Sequence, residues 1–112
     1  MIESYYTVFC SVADVQSAEK LASRLVSEKL AACVQLLPAG TSFYLWDDQL
    51  QKEPEYLLVI KTHGSRYADL EACILEEHAY ELPEIIAVPL VNGYLPYLDW
   101  ISETLGVERE ED

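Results

Sequence analysis

Three cysteines and two histidines carry most of this chain's capacity for specific chemistry. Cys10, Cys33 and Cys73 are odd in number and widely spaced, so they form neither a disulfide framework nor a CxxC zinc pair. Cys73 and His78 stand five residues apart on one expected helix, about 140° round its axis, and so cannot share a site on one face. His63 falls in a strand-to-helix turn, where exposure is expected. What remains is a set that folding has to bring together: Cys10 in the first strand, Glu55 at the start of the third long strand and His78 at the end of the second helix. Thiolate and imidazole suit Cu(II) or Zn(II) better than calcium or magnesium. Each residue also has a plainer role. Cys10 can be a small buried hydrophobe, Glu55 an exposed strand-end charge, and His78 a helix C-terminal residue favoured by the dipole.

Catalytic motifs are missing. The sequence has no GxSxG, HExxH, glycine-rich phosphate loop or paired-carboxylate pattern, and its four glycines are scattered. A Cys–His nucleophile pair has the residue types but no local signature. The expectation is a protein that is not an enzyme and needs no obligatory cofactor. Lys61 closes an apolar run; it can reach solvent along its stem or pair with Glu53 or Glu55.

The elements that must position these residues follow from hydrophobic period. Tyr5 to Val12 is a short β-branched and aromatic run, read as a strand buried on both faces. Asp14 or Ser17 can cap a helix in which Ala18, Leu21, Ala22, Leu25 and Val26 form one apolar stripe. Ala31 to Leu37 reads as a strand stopped by Pro38 and the Ala39-Gly40 turn, and Thr41 to Trp46 as a third extended stretch. Asp47-Asp48 turns the chain, Gln49 to Lys52 returns, and Pro54 marks an edge or bulge. Glu55 to Thr62 is the clearest strand. A second helix, capped by Ser65, presents Tyr67, Leu70, Ile74 and Leu75 and runs to about His78. Ile85 to Val91 is the last long strand, Asn92-Gly93 a tight turn, and Pro96 to Leu105 a final helix ended by Gly106.

The order β-α-β-β-α-β predicts an α+β, ferredoxin-like antiparallel sheet with both helices on one face, an extended hairpin and an added C-terminal helix. The length suits a single domain, residues 1–106, with an acidic tail over 107–112 expected to be mobile. The other sheet face needs a cover, and 51% hydrophobic residues, with eight tyrosines and two tryptophans, is a large apolar supply for 112 residues. Both observations point to a partner subunit.

The formal net charge is −13, of which the tail's four acids and one arginine account for −3. Such a balance excludes nucleic acid, which demands a basic stripe, and attracts cations without selectivity. No run approaches the roughly 18 apolar residues of a membrane span. Met-Ile-Glu-Ser-Tyr-Tyr lacks a basic start and a cleavage site, and the thiols read as reduced, so a cytoplasmic location is expected.

Several segments together resemble the CutA family of divalent-cation tolerance proteins. Glu28-Lys29-Leu30-Ala31-Ala32-Cys33-Val34 is similar to its E-K-L-A-A-C-V signature, and Ser42, Tyr44 and Trp46 to its S-x-Y-x-W strand. Glu53 with Leu58, Lys61 and Thr62 resembles E…L-x-x-K-T; His78 to Ile86 resembles H-P-Y-E-x-P-E-I-I; Tyr97, Leu98, Trp100 and Ile101 resemble Y-L-x-W-I. The resemblance runs from about Tyr6 to Thr104. It implies a tight homotrimer in which the long hairpin pairs strands across subunits, and a cytoplasmic role in copper tolerance. It also implies that Cys10, Glu55 and His78 correspond to the copper ligands proposed in bacterial members. The family's likeness in shape to the PII signalling proteins implies an alternative, a small-molecule sensor using Trp46, Glu53, Lys61 and Tyr80 in an intersubunit cleft. A ligand-free assembly scaffold is the third reading. Two departures stand out: Ala79 replaces the usual proline after the histidine, and Asp47-Asp48 replaces an acidic-Gly turn.

Overall fold

A computed structural model describes residues 4–108. Strand β1 (Tyr5–Val12) leads to helix α1 (Val15–Ser27), then to β2 (Cys33–Trp46) and β3 (Gln49–His63). A single 3-10 turn, Gly64–Arg66, feeds α2 (Tyr67–Glu77), followed by β4 (Ile85–Pro89) and α3 (Leu95–Leu105). The four strands form one antiparallel sheet in the order β2-β3-β1-β4, which is the expected ferredoxin-like arrangement.

Alternation along β1 decides which residues meet the helices. Val8, Cys10 and Val12 point to one face, joined there by Leu58 and Ile60 of β3, and pack with Ala18, Leu21 and Leu25 of α1 and Leu70, Cys73 and Ile74 of α2. In α1 the expected stripe holds except at Val26, which lies outside it and is exposed. The phase of α2 is shifted from expectation: Cys73 faces inward, whereas Leu75 is 54% exposed. Asp14 caps α1 by accepting from the Ser17 amide at 2.8 Å. Ser65 does not cap α2; its amide instead donates to His63 Nδ1, and His63 is buried, not exposed as the turn position suggested.

The prolines do not break the middle of the chain into the short pieces expected. Pro38 and Ala39 are absorbed by a bulge between Leu37 and Gly40 on the edge strand β2, where a missing donor costs little. Pro54 lies in β3 beyond the reach of β1, whose pairing ends at Val12 with Tyr56, so β3 has a partner there on one side only. Two strands of 14 and 15 residues result, and their free hairpin stretches the molecule to 49 Å. The last strand is shorter than expected, ending at Pro89 rather than Val91.

On the opposite sheet face, α3 covers one end only. Leu98, Ile101 and Leu105 pack with Tyr5 and Ala32 in a second core. Gly106, at φ 68°, ends α3 in the left-handed conformation. Val107 packs against this core, and residues 109–112 of the expected mobile tail lie outside the described residues. Beyond α3 this face presents Phe9, Leu37, Leu57, Val59, Ile86 and Val88, of which Leu37, Ile86 and Val88 are exposed. No helix of the described residues is long and apolar enough to cross a membrane.

Helix α1 closes in a Schellman motif, with Leu30 N–H on the Leu25 carbonyl and Lys29 N–H on that of Val26. The left-handed position is filled by Lys29 at φ 58° rather than by glycine. Lys29→Gly should therefore stabilise the fold by about 1 kcal/mol. A urea midpoint that stays put or falls would show that this backbone position is not strained.

Candidate functional site

The end of α2 organises one corner of the sheet. His78 leaves the helix in an extended conformation (φ −78°, ψ 138°) while its amide still bonds to the Ile74 carbonyl at 2.8 Å. The chain is thereby turned across the end of β1. His78 Nε2 lies 2.6 Å from the Ser11 carbonyl, and Nδ1 lies 3.1 Å from the Tyr80 amide. A carbonyl only accepts and an amide only donates, so Nε2 carries the proton and Nδ1 is the acceptor. The His78 ring also packs at 4.7 Å on that of Tyr80. Ala79 therefore does not leave the imidazole loose: two hydrogen bonds hold it in place of the expected proline.

Two carboxylates are fixed beside it. The Tyr80 hydroxyl donates to Glu55 Oε2 at 2.7 Å, and Ser11 Oγ donates to Glu84 Oε1 at 2.8 Å. Burial, and then the bond to Glu55, pushes the Tyr80 phenol well above its ordinary range, so it remains a donor. Cys10 is fully buried, and its thiol is pushed up to about 12 by burial first and then by the charges of Glu84 and Glu55. It is a neutral thiol at neutral pH.

Cys10, Glu55 and His78 thus border one corner, but they are not arranged as a ligand set. Among the described residues no three His, Cys, Asp or Glu are grouped so as to hold a metal ion. The alternation of the strands gives the reason. Cys10 points into the core beneath the helices, while Ser11 and Glu55 share the opposite parity and point to the other face.

That other face opens into a cavity of about 540 Å³ between the hairpin and the segment from Tyr80 to Glu84. Asp47 and Asp48, both left-handed at φ 52° and 60°, make the two-residue turn that sets the hairpin register. Tyr44 then lies opposite Gln51 and Trp46 opposite Gln49, which puts both aromatic rings on the same side as Glu55. Trp46 and Tyr80 of the expected cleft line this cavity; Glu53 and Lys61 do not. Glu53 is exposed on the hairpin. Lys61 lies eight residues further along β3, about 26 Å away at the rise of a strand, and donates to Gln35 Oε1 at 2.7 Å. Its ammonium reaches the exposed surface, as one of the two roles suggested, and takes Gln35 there as its partner rather than Glu53 or Glu55. Ser11 and Glu84 were not anticipated as site residues. Their pairing spans 73 positions in the chain, and no local spacing announces it.

The comparisons with known proteins agree with this architecture. The family model described as CutA1 divalent ion tolerance protein matches residues 6–104. The divalent-cation tolerance protein CutA of Citrobacter koseri is 38% identical over 98 residues, covering 88% of this chain and 85% of that protein. Among solved structures, CutA from Xylella fastidiosa is 36% identical with a TM-score of 0.89, over 91% of this chain and 98% of the other. The divalent cation tolerance protein of Thermus thermophilus is also 36% identical, with a TM-score of 0.87 over 89% and 97% of the two chains. The chain belongs to the CutA1 divalent ion tolerance family.

Proposed function

We propose that this protein serves divalent-cation tolerance as a cytoplasmic homotrimer that takes up Cu(II), or Zn(II), at the corner bordered by Cys10, Glu55 and His78. The observation that carries this reading is the hydrogen bond from His78 Nε2 to the carbonyl of Ser11, the residue after Cys10, with Tyr80 linking the same turn to Glu55. A soft donor, an imidazole and a carboxylate border that corner from the two faces of the sheet, a combination of types suited to copper or zinc. The set is not preformed. Loading it requires His78 to release the Ser11 carbonyl and Cys10 to lose its proton, as metal ligation by a thiol always does. Assembly is supported by the uncovered apolar sheet face and by the exposed rings of the hairpin, Phe43, Tyr44 and Trp46; the number three is the one the family resemblance implies. The free state of all three cysteines is in keeping with a reducing compartment.

A Cu(II) and Zn(II) titration, without added reductant and with mass read by light scattering, tests both parts. The wild type should bind one ion per subunit and behave as a trimer, whereas Cys10→Ala/His78→Ala should stay trimeric and lose the stoichiometric site. Equal, salt-sensitive binding by both proteins would assign the effect to the diffuse acidic surface and remove these residues from the function. A monomer mass would remove the assembly.

A further inference from the structure

We propose that His63 makes the joint between β3 and α2 sensitive to acid: its neutral imidazole caps the turn that opens the helix, and a proton gained there releases the cap. The chain passes directly from β3 into the 3-10 turn Gly64–Arg66, whose first amide donors need an acceptor from outside the turn. Ser, Thr, Asn and Asp are the usual providers. His63 holds the position instead, extended at φ −111° and ψ 146°, and its Nδ1 accepts from the Ser65 amide at 3.1 Å. An amide only donates, so Nδ1 carries no proton and the ring is neutral. Ser65 Oγ lies 2.8 Å from the same nitrogen.

Protonation turns that acceptor into a donor. The Ser65 amide then faces an N–H, and the Ser65 hydroxyl alone can receive it. No second cap takes over, because Arg66, where α2 begins, makes no capping bond with its side chain. The ring is also badly placed to carry charge. It is buried, packs edge-on against Tyr5 at 5.1 Å, and stands at the positive end of the turn and helix. Arg66 adds a second cation next to it, while β1 offers only the uncharged Tyr5 ring. Acids stand further along: Asp69 in the first turn of α2, and on α3 the half-buried Asp99 and exposed Glu103, which flank the Tyr5 partner Ser102. Burial, and then positive charge that includes Arg66, hold the His63 pKa below the ordinary histidine value. The unfolded chain takes up this proton near pH 6.5, and the folded chain only at lower pH. The stability owed to the neutral cap is therefore fully present above about pH 6.5 and is lost as pH falls from there through the folded value.

Ring-nitrogen NMR, amide exchange and urea unfolding of the full chain, between about pH 7.5 and 5, test the proposal against His63→Asn. Asparagine can place Oδ1 where Nδ1 stands and caps without titrating. At the upper pH the wild-type Nδ1 should be the unprotonated nitrogen, and the ring should titrate below about 6.5. As it does, protection of the Ser65 and Tyr67 amides, corrected for intrinsic exchange, should fall about fivefold or more. The urea midpoint should fall with it, relative to that of His63→Asn. His78 and the carboxylates are common to both chains, so the difference isolates His63. A proton on Nδ1 at the upper pH would overturn the proposal, as would a ring midpoint at or above about 6.5, the result of an acid such as Asp99 acting directly on the ring. Parallel pH trends in the two chains would overturn it equally. The ring titration is read on the wild type alone and decides even where the variant folds poorly.

Discussion

Replacing Ile74 by alanine should lower the free energy of unfolding by about 3 kcal/mol, while the same change at the adjacent Leu75 should shift it by less than about 0.5 kcal/mol. The two residues are close in size and share one helix, so the contrast isolates burial. Ile74 is fully enclosed between α1 and the sheet, in contact with the core built on Val8, Leu58 and Ile60. Truncation leaves a cavity that strands on one side and a helix on the other cannot easily close. Leu75 lies one position on, about 100° round the axis, with more than half its surface in water. A loss of about 3 kcal/mol multiplies the unfolded fraction roughly a hundredfold. Denaturant unfolding at one fixed protein concentration measures both variants. Similar losses at Ile74 and Leu75 would mean that α2 is rotated from the position described, or that Leu75 is covered by another subunit.

That contrast also marks how far sequence patterning reaches. The strand β1 and helix α1 were legible because period and caps agree: Asp14 caps, and Ala18, Leu21 and Leu25 repeat at helical spacing. In α2 the apolar residues Ile74 and Leu75 are neighbours and Cys73 is small, so two phases of the stripe fit almost equally, and only packing against the sheet selects between them. Pro38 misleads for a different reason. Whether a proline stops a strand depends on which neighbour is missing, and strand order is not a local property; Pro54 does mark a one-sided stretch, as expected, but β3 runs on through it.

The candidate site divides in the same way. Cys10, Glu55, Trp46, His78 and Tyr80 were legible as residue types capable of chemistry, and they do gather around one end of the sheet. Which face each one occupies was not legible. A single step of strand parity sends Cys10 into the core and Ser11 toward Glu84. Lys61 shares its strand face with Glu53 and Glu55, yet sequence proximity of charges gave no hint that Gln35, on the neighbouring strand, would take its ammonium. The acidic cavity is thus a product of register, and the residues that complete it become visible only once β2, β3 and the Tyr80–Glu84 segment are set side by side.

The second large effect is expected where α3 is fastened to the sheet. Tyr5→Phe and Ser102→Ala should each destabilise by about 1–3 kcal/mol, yet the double variant should lose clearly less than the sum. The Tyr5 hydroxyl and Ser102 Oγ lie 2.5 Å apart, both buried, with a chain separation of 97 residues. Removing either partner strands the other without water, whereas removing both removes the unmet demand. The contact sits in the second core, where Tyr5 also meets the His63 ring edge-on at 5.1 Å. A second tie holds the end of the same helix: Arg66 donates to the Leu105 carbonyl at 2.6 Å, placing a cation at the negative end of the α3 dipole. Because Arg66 anchors the helix end independently, the single Tyr5 or Ser102 variant should loosen α3 without unfolding the sheet. Amide exchange should accelerate in α3 before it does in β1 and β3. A double variant whose loss equals the sum of the singles would show that the two hydroxyls act separately rather than as a pair.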